Sequence, residues 1–195
     1  MIANPSQNYI SPQEYLSGEE ISPIKHEYID GEVYAMAGAS DAHVTIAGNL
    51  FALLRNHLRG SGCRVYMSDM KANMSAANIG NIFYYPDVMV TCDARDKELT
   101  NHKKYPCLIV EVLSDSTEAF DRGDKFANYQ QLPTLQEYVI ISQKRQRVEC
   151  FRRNAEENWN FRLYNPGSEI YLESIDFRTR FEDLYEDVTL ANNAS

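Results

Sequence analysis

The spacing of hydrophobic and polar residues changes period several times along the chain, and each change predicts an element. Ser11-Pro12-Gln13-Glu14 opens the first. Ser11 can cap a helix, Pro12 suits its first position, and Glu14 stands where a capping box needs it; the helix is short and ends near Gly18. Residues 26–36 predict a β-hairpin, because Tyr28-Ile29 runs into Asp30-Gly31, a hairpin-turn dipeptide, and Val33 to Met36 returns. Ser40 or Asp41 caps a second helix reaching about residue 59. Ile46, Ala47, Leu50, Leu53, Leu54 and Leu58 recur on one helical face, and Gly60 and Gly62 follow the end.

Strand patterning dominates the middle. Residues 63–74 and 82–91 read as two strands separated by an Asn- and Gly-rich turn. Pro86 inside the second marks an edge or a bulge, since proline cannot donate to a ladder. Residues 107–113 are the clearest buried strand: Leu108, Ile109, Val110, Val112 and Leu113 leave Glu111 as the sole charge. Residues 118–132 predict a helix with Phe126 and Tyr129 on its apolar face, stopped by Pro133. A strand over 137–141 follows, and this strand–helix–strand crossover favours parallel pairing. Residues 147–151 and 159–164 alternate and pair through the polar 153–158 turn. A short strand over 170–172 and a last helix within 175–185 complete the series. The expected class is α/β, a central mixed sheet flanked by helices, with an N-terminal hairpin and a C-terminal antiparallel hairpin. One domain spans 1–195, with flexible tails at 1–8 and 189–195.

Composition narrows this picture. Apolar residues make up 44 % of 195, enough for a core. No run approaches the ~18 apolar residues of a membrane helix, and the polar start lacks a signal-peptide pattern. Cys63, Cys92, Cys107 and Cys150 form no C-x-x-C pair; they read as four reduced thiols in a cytoplasmic protein, with no disulfide or zinc site. The net charge of −9 counts against tight, non-specific DNA binding, which counterion release drives through a basic surface. A local basic face or bound metal ions would offset it.

The candidate chemistry centres on Glu111. A carboxylate in an apolar strand costs several kcal/mol unless a metal ion or a cation compensates. Asp87, beside the Pro86 irregularity, is an ordinary Pro-Asp turn residue when taken alone. On a neighbouring strand it becomes a second hard-oxygen ligand, and Mg²⁺ suits one or two carboxylates with phosphate oxygens. Lys125 falls in the helix after the Glu111 strand. It could reach back to stabilise developing phosphorane charge, or pair with Asp121 at i,i+4 spacing on the surface.

Several segments together resemble one family. They are Tyr28-Ile29-Asp30-Gly31-Glu32, His43, Pro86-Asp87, Ile109-Val110-Glu111-Val112-Leu113-Ser114-Asp115-Ser116-Thr117 and Asp121-Arg122-Gly123-Asp124-Lys125, continuing through Leu135-Gln136-Glu137-Tyr138-Val139 to Phe151-Arg152-Arg153. Their order is similar to that of the restriction-endonuclease-like domains, a mostly uncharacterised bacterial branch of the PD-(D/E)xK nuclease superfamily. The resemblance implies a restriction-endonuclease-like core and Mg²⁺-dependent cleavage of nucleic acid, most simply DNA, with Mn²⁺ as a substitute. It carries Asp87 and Glu111 over as metal ligands, with the Val112 carbonyl as a third. The superfamily's usual lysine position holds Leu113 here, and the branch pattern points to Lys125 instead. Glu32 and His43 are accessory candidates, although Glu32, like Glu27, also reads as part of a solvated hairpin.

Two other readings stand beside the nuclease. One is a nuclease-fold module without activity that binds nucleic acid or protein. The other is a two-carboxylate enzyme such as a glycosidase, for which no sugar-binding motif is found. The basic clusters His102-Lys103-Lys104 and Lys144-Arg145 with Arg147 read as charged turns, and Tyr84, Tyr85 and Trp159 as sheet and core residues. A homodimer is expected, since nucleases that cut both strands often pair and hairpin edges can join.

Overall fold

The computed structural model describes residues 9–190. Of the expected tails at 1–8 and 189–195, residues 1–8 and 191–195 lie outside the described residues, whereas Leu190 packs against the core. Helix α1 (Pro12–Glu19) carries the capping box, with the Ser11 amide 2.8 Å from Glu14 Oε2 and the Glu14 amide 3.3 Å from Ser11 Oγ. The hairpin β1 (His26–Ile29) and β2 (Glu32–Ala35) turns at Asp30 and Gly31, both at positive φ. Glycine is required at the second of these, since a Cβ there would lie 2.2 Å from the Tyr9 ring. Helix α2 (Asp41–His57) starts at Ser40, whose Oγ accepts the His43 amide, and buries Ile46, Ala47, Leu50 and Leu54.

The two long strands expected over 63–74 and 82–91 each break in two. β3 (Arg64–Met67) and β4 (Lys71–Asn73) belong to different sheets, and so do β5 (Ile82–Tyr84) and β6 (Val88–Thr91). The chain changes sheet at residues 68–70 and again at 85–87. The two corners are tied by the Ser68 amide donating to the Asp87 carbonyl at 3.2 Å. Pro86 therefore marks a corner rather than a bulge. The short strand β7 (His102–Lys103) joins the same sheet as β4, so this basic cluster is not simply a charged turn; Lys103 is buried and its ammonium donates to the Asp96 carbonyl.

β8 (Leu108–Leu113) is buried throughout and pairs in parallel with β9 (Glu137–Ser142). The helix between them is not continuous. It divides into α3 (Glu118–Arg122) and α4 (Asp124–Tyr129) at Gly123, where a Cβ would lie 3.0 Å from the Ala119 carbonyl oxygen. β10 (Val148–Arg153) and β11 (Trp159–Tyr164) form the antiparallel C-terminal hairpin. β12 (Glu169–Leu172) and β13 (Phe177–Arg180) make a second small hairpin. Only α5 (Phe181–Leu184) is α-helical where a helix was expected within 175–185. Phe177 and Thr179 are buried while Arg178 and Arg180 are exposed, a strand period.

Two mixed sheets result, ordered β11-β10-β9-β8-β6-β3 and β2-β1-β5-β4-β7. α2 and the β12–β13 hairpin cover one face of the six-stranded sheet, against Val88, Val90, Leu108, Val110 and Val112. Its other face meets the five-stranded sheet and α4 through Ile109, Leu113, Tyr138, Ile140, Tyr84 and Tyr129. Strands buried on both faces read as unbroken apolar runs, as β8 does. Glu111 falls on the second face, between Ile109 and Leu113.

One expectation about the cysteines is overturned. Cys63 and Cys92 form a disulfide, leaving Cys107 and Cys150 as free thiols. Arg64 pairs with Thr91 in the β3–β6 ladder, so Cys63 and Cys92 come opposite one another just beyond it. That juxtaposition depends on pairing strands 29 residues apart, which no local motif announces.

Candidate active site

The site lies where the two sheets meet, and five elements supply its carboxylates and its lysine. The corner before β6 supplies Asp87, β8 supplies Glu111, β1 supplies Glu27, α3 supplies Asp121 and α4 supplies Lys125. The Lys125 ammonium lies 3.0 Å from Glu27 Oε1, 3.0 Å from Glu111 Oε1 and 3.5 Å from Asp121 Oδ1. The Tyr129 hydroxyl donates to Glu111 Oε1 at 3.2 Å, and the lysine also lies over the Tyr84 ring. Asp87 is held from both sides: Oδ2 accepts the Val112 amide at 2.7 Å and Oδ1 meets His43 Nε2 at 2.8 Å. The first turn of α2 thus aims His43 at the corner that Pro86 creates.

Charge is unevenly matched here. Three carboxylates, Glu27, Glu111 and Asp121, share one ammonium, and Asp87 pairs with His43. Burial pushes the Glu111 carboxyl well above its ordinary range. Lys125 opposes this, and the nearby acids Asp121, Asp87 and Glu27 add to it. Asp121 is raised for the same leading reason. Burial alone would depress Lys125, but Glu111, Glu27 and Asp121 outweigh it and hold the ammonium well above its usual range. Asp121 Oδ1 and His43 Nδ1 are buried with no hydrogen-bond partner among the described residues.

Among the sequence candidates, Asp87, Glu111, Lys125 and His43 are brought together. Val112 adjoins them through its amide, which holds Asp87. Glu32 is not with them; it lies on the exposed edge strand and accepts the Tyr34 hydroxyl. Glu27, assigned from sequence to a solvated turn, takes the inner place. Asp121 and Tyr129 were also missed as site residues. The sequence signals for Asp121 were its i,i+4 spacing from Lys125 and its place at the head of the Asp121-Arg122-Gly123-Asp124-Lys125 segment.

The donor set is hard oxygen, as Mg²⁺ or Mn²⁺ prefers, and its surplus negative charge suits a divalent cation. Among the described residues, no three His, Cys, Asp or Glu side chains already converge as a metal cage. Lys125 and His43 occupy oxygens that a cation would need. Asp87 and His43 are the more open members, with side chains 15 % and 14 % exposed, and Glu111 and Lys125 lie behind them at 4 % and 6 %. A concavity of ≈ 690 Å³ lined by Arg152, Arg153, Arg162 and Glu173 opens elsewhere. It adjoins Gln136, at the opposite end of the β8–β9 ladder from Glu111, so its size does not make it the catalytic cleft.

A mixed sheet with acids at a strand corner and a crossover helix bearing lysine defines the nuclease-like α/β class. The family described as "Uma2: Putative restriction endonuclease" matches residues 12–183, and the chain belongs to that family. It is 42 % identical over 176 residues to "Uncharacterized protein slr1290" of Synechocystis sp. (strain ATCC 27184 / PCC 6803 / Kazusa), covering 90 % of this chain and 91 % of that one. It is 35 % identical over 154 residues to "Uncharacterized protein sll1609" of the same organism, covering 77 % and 84 %. Its fold is shared with a crystal structure described as "a putative nuclease belonging to DUF820 from Anabaena variabilis ATCC 29413". That match has a TM-score of 0.72 at 16 % identity and covers 90 % of this chain and 97 % of the other.

Proposed function

We propose that this protein is a Mg²⁺-dependent endonuclease that hydrolyses phosphodiester bonds in DNA, with Mn²⁺ able to substitute. The observation that carries the reading is the meeting of Asp87, Glu111 and Lys125, from three separate elements, at one corner between sheets. Asp87 and Glu111 are the proposed cation ligands, with the Val112 carbonyl beside them. Bound Mg²⁺ supplies Lewis-acid polarisation of the phosphoryl group.

The chain's own residues do the rest. Asp87 is fixed before substrate arrives, because the Val112 amide and His43 hold its two oxygens. A phosphate reaches the Asp87–His43 side first, since those residues are the more exposed. Lys125, kept cationic by its acidic neighbours, is placed to neutralise charge that develops on the phosphoryl oxygens. The apolar layer around Tyr84, Tyr129 and Tyr138 excludes water behind the lysine and strengthens each of these interactions.

Purified protein assayed on single- and double-stranded DNA and on RNA, with and without Mg²⁺, tests this. Metal-dependent cleavage of DNA is expected, lost in Asp87→Ala and Glu111→Ala. Cleavage that survives both substitutions would sink the assignment. We place the activity in the cytoplasm, where a reducing pool opens disulfides. Cys63–Cys92 lies at the end of β6 remote from Asp87, so its reduction is expected to leave cleavage unchanged. We also propose a homodimer, formed through an open sheet edge such as β11, where Phe161 and Leu163 are exposed on one face. Sedimentation at micromolar concentration checks it.

A further inference from the structure

The position of Lys125 suggests more than a catalytic cation. Its ammonium bridges Glu27 and Glu111 at 3.0 Å each, the place that a cation bound through Glu111 must share. The third acid, Asp121, differs from those two. It is 2 % exposed, lies one helical turn before Lys125, and stands 3.5 Å away with Oδ1 lacking a hydrogen-bond partner among the described residues. A buried carboxylate oxygen without a partner is costly, and the lysine is the cation within reach of it.

We infer that Lys125 is a resident counter-ion that divalent-cation binding displaces, and that Asp121 is the positioning residue that receives the displaced ammonium. This rests on the metal-dependent reading above and adds to it. In the free protein Lys125 neutralises Glu111 and Glu27, so the acids tolerate burial between the sheets. When Glu111 is taken up by a cation, the ammonium moves the short distance to Asp121 Oδ1 and stays within the site. A lysine removed altogether would leave its charge without a partner in an apolar layer. The i,i+4 spacing across the α3–α4 break keeps donor and receiver together, although Gly123 interrupts the helix.

Calorimetric titration with MnCl₂ tests this without any assay of cleavage. Four proteins are compared: wild type, Lys125→Met, Asp121→Asn and the double variant. Lys144→Met removes a positive charge paired with Asp115 and serves as control. Lys125→Met is expected to bind Mn²⁺ about tenfold tighter than wild type, and Lys144→Met within about twofold of it. Asp121→Asn is expected to weaken Mn²⁺ binding about tenfold when Lys125 is present but less than about twofold in the Lys125→Met background. Such a coupling is what a double-mutant cycle isolates.

Equal affinity of wild type and Lys125→Met overturns the inference. So does an Asp121→Asn effect of the same size in both backgrounds, which is simple loss of an acid. Absence of Mn²⁺ binding in every variant overturns it too, together with the metal-dependent reading. Metal-dependent cleavage with uncoupled affinities overturns the inference alone. If Lys125→Met does not fold, the lysine ¹³Cε resonances of the wild type are followed during Mg²⁺ titration. One buried lysine signal is expected to shift as it leaves Glu111, and a signal unmoved at saturation overturns the exchange.

Discussion

Glu111 and Glu149 occupy the same row of one sheet, two strands apart, with Ile140 between them. Both are buried and both face the layer of α3 and α4, yet their electrostatics run in opposite directions. Glu149 accepts Arg122 through two nitrogens at 2.7 and 3.0 Å and Arg147 at 2.7 Å. Burial opposes its ionisation, but the two guanidiniums win and hold its carboxyl below the ordinary range. Glu111 has one ammonium, shared with two other acids, and burial wins. Glu137, also in this sheet, repeats the satisfied pattern, with Arg152, the Glu173 and Ser174 amides and the Ser174 hydroxyl as donors. A buried acid that serves the fold is saturated with matched donors. A buried acid poised for a ligand is left short of them.

The sharpest way to break this comparison is to neutralise each glutamate. Glu111→Gln is expected to lower Mg²⁺-dependent cleavage by about a thousandfold while leaving the urea midpoint at pH 7 unchanged or higher. A large loss of stability in that variant would make Glu111 a structural residue like its neighbour.

Next in size, Glu149→Gln removes the carboxylate that joins Arg122 and Arg147, although Arg122 keeps Glu118, and is expected to cost about 2 kcal/mol in urea unfolding. Mn²⁺ binding should persist in the folded fraction. Loss of metal binding with stability intact would erase the division between the two acids.

The two also differ in pH dependence. Glu149 has a depressed folded value, so its contribution is present above the unfolded value near 4.5 and is lost as pH falls through the lower folded value. The stability gap between wild type and Glu149→Gln should therefore close in acid. Glu111 has a raised folded value. Wild type should compare best with Glu111→Gln below pH 4.5 and lose ground as pH rises through the folded value. Urea titrations from pH 3.5 to 8 read both signs, and parallel curves for the two variants would refute the contrast.

The smallest expected effect concerns the hairpin. Glu32→Ala should change stability by less than about 0.5 kcal/mol and leave cleavage at the wild-type rate, whereas Glu27→Gln should reduce cleavage. The reverse result would move the site outward to the sheet edge.

Nearest neighbours in sequence determined a good deal of this molecule. Ser11 and Glu14 close their capping box, Asp30-Gly31 turns its hairpin and Ser40 starts α2, because caps and turns are made by residues three or fewer apart. The apolar run around Glu111 announced a strand buried on both faces, and its lone charge marked a candidate site. Asp87 was legible only beside Glu111, and Lys125 through resemblance more than through local physics.

Only the tertiary structure decided the rest. Glu27 and Glu32 face the same side of their hairpin, since Ile29 pairs with Glu32 and Glu27 with Tyr34. β1 is interior, paired with β5, and β2 is the edge, so one glutamate reaches Lys125 and the other meets solvent. The breaks at 68–70 and 85–87 and the Cys63–Cys92 bond likewise depend on which distant strands pair. Periodicity records which face of an element is buried. It does not record which partner buries that face, and here the partner separates a catalytic candidate from an ordinary charge.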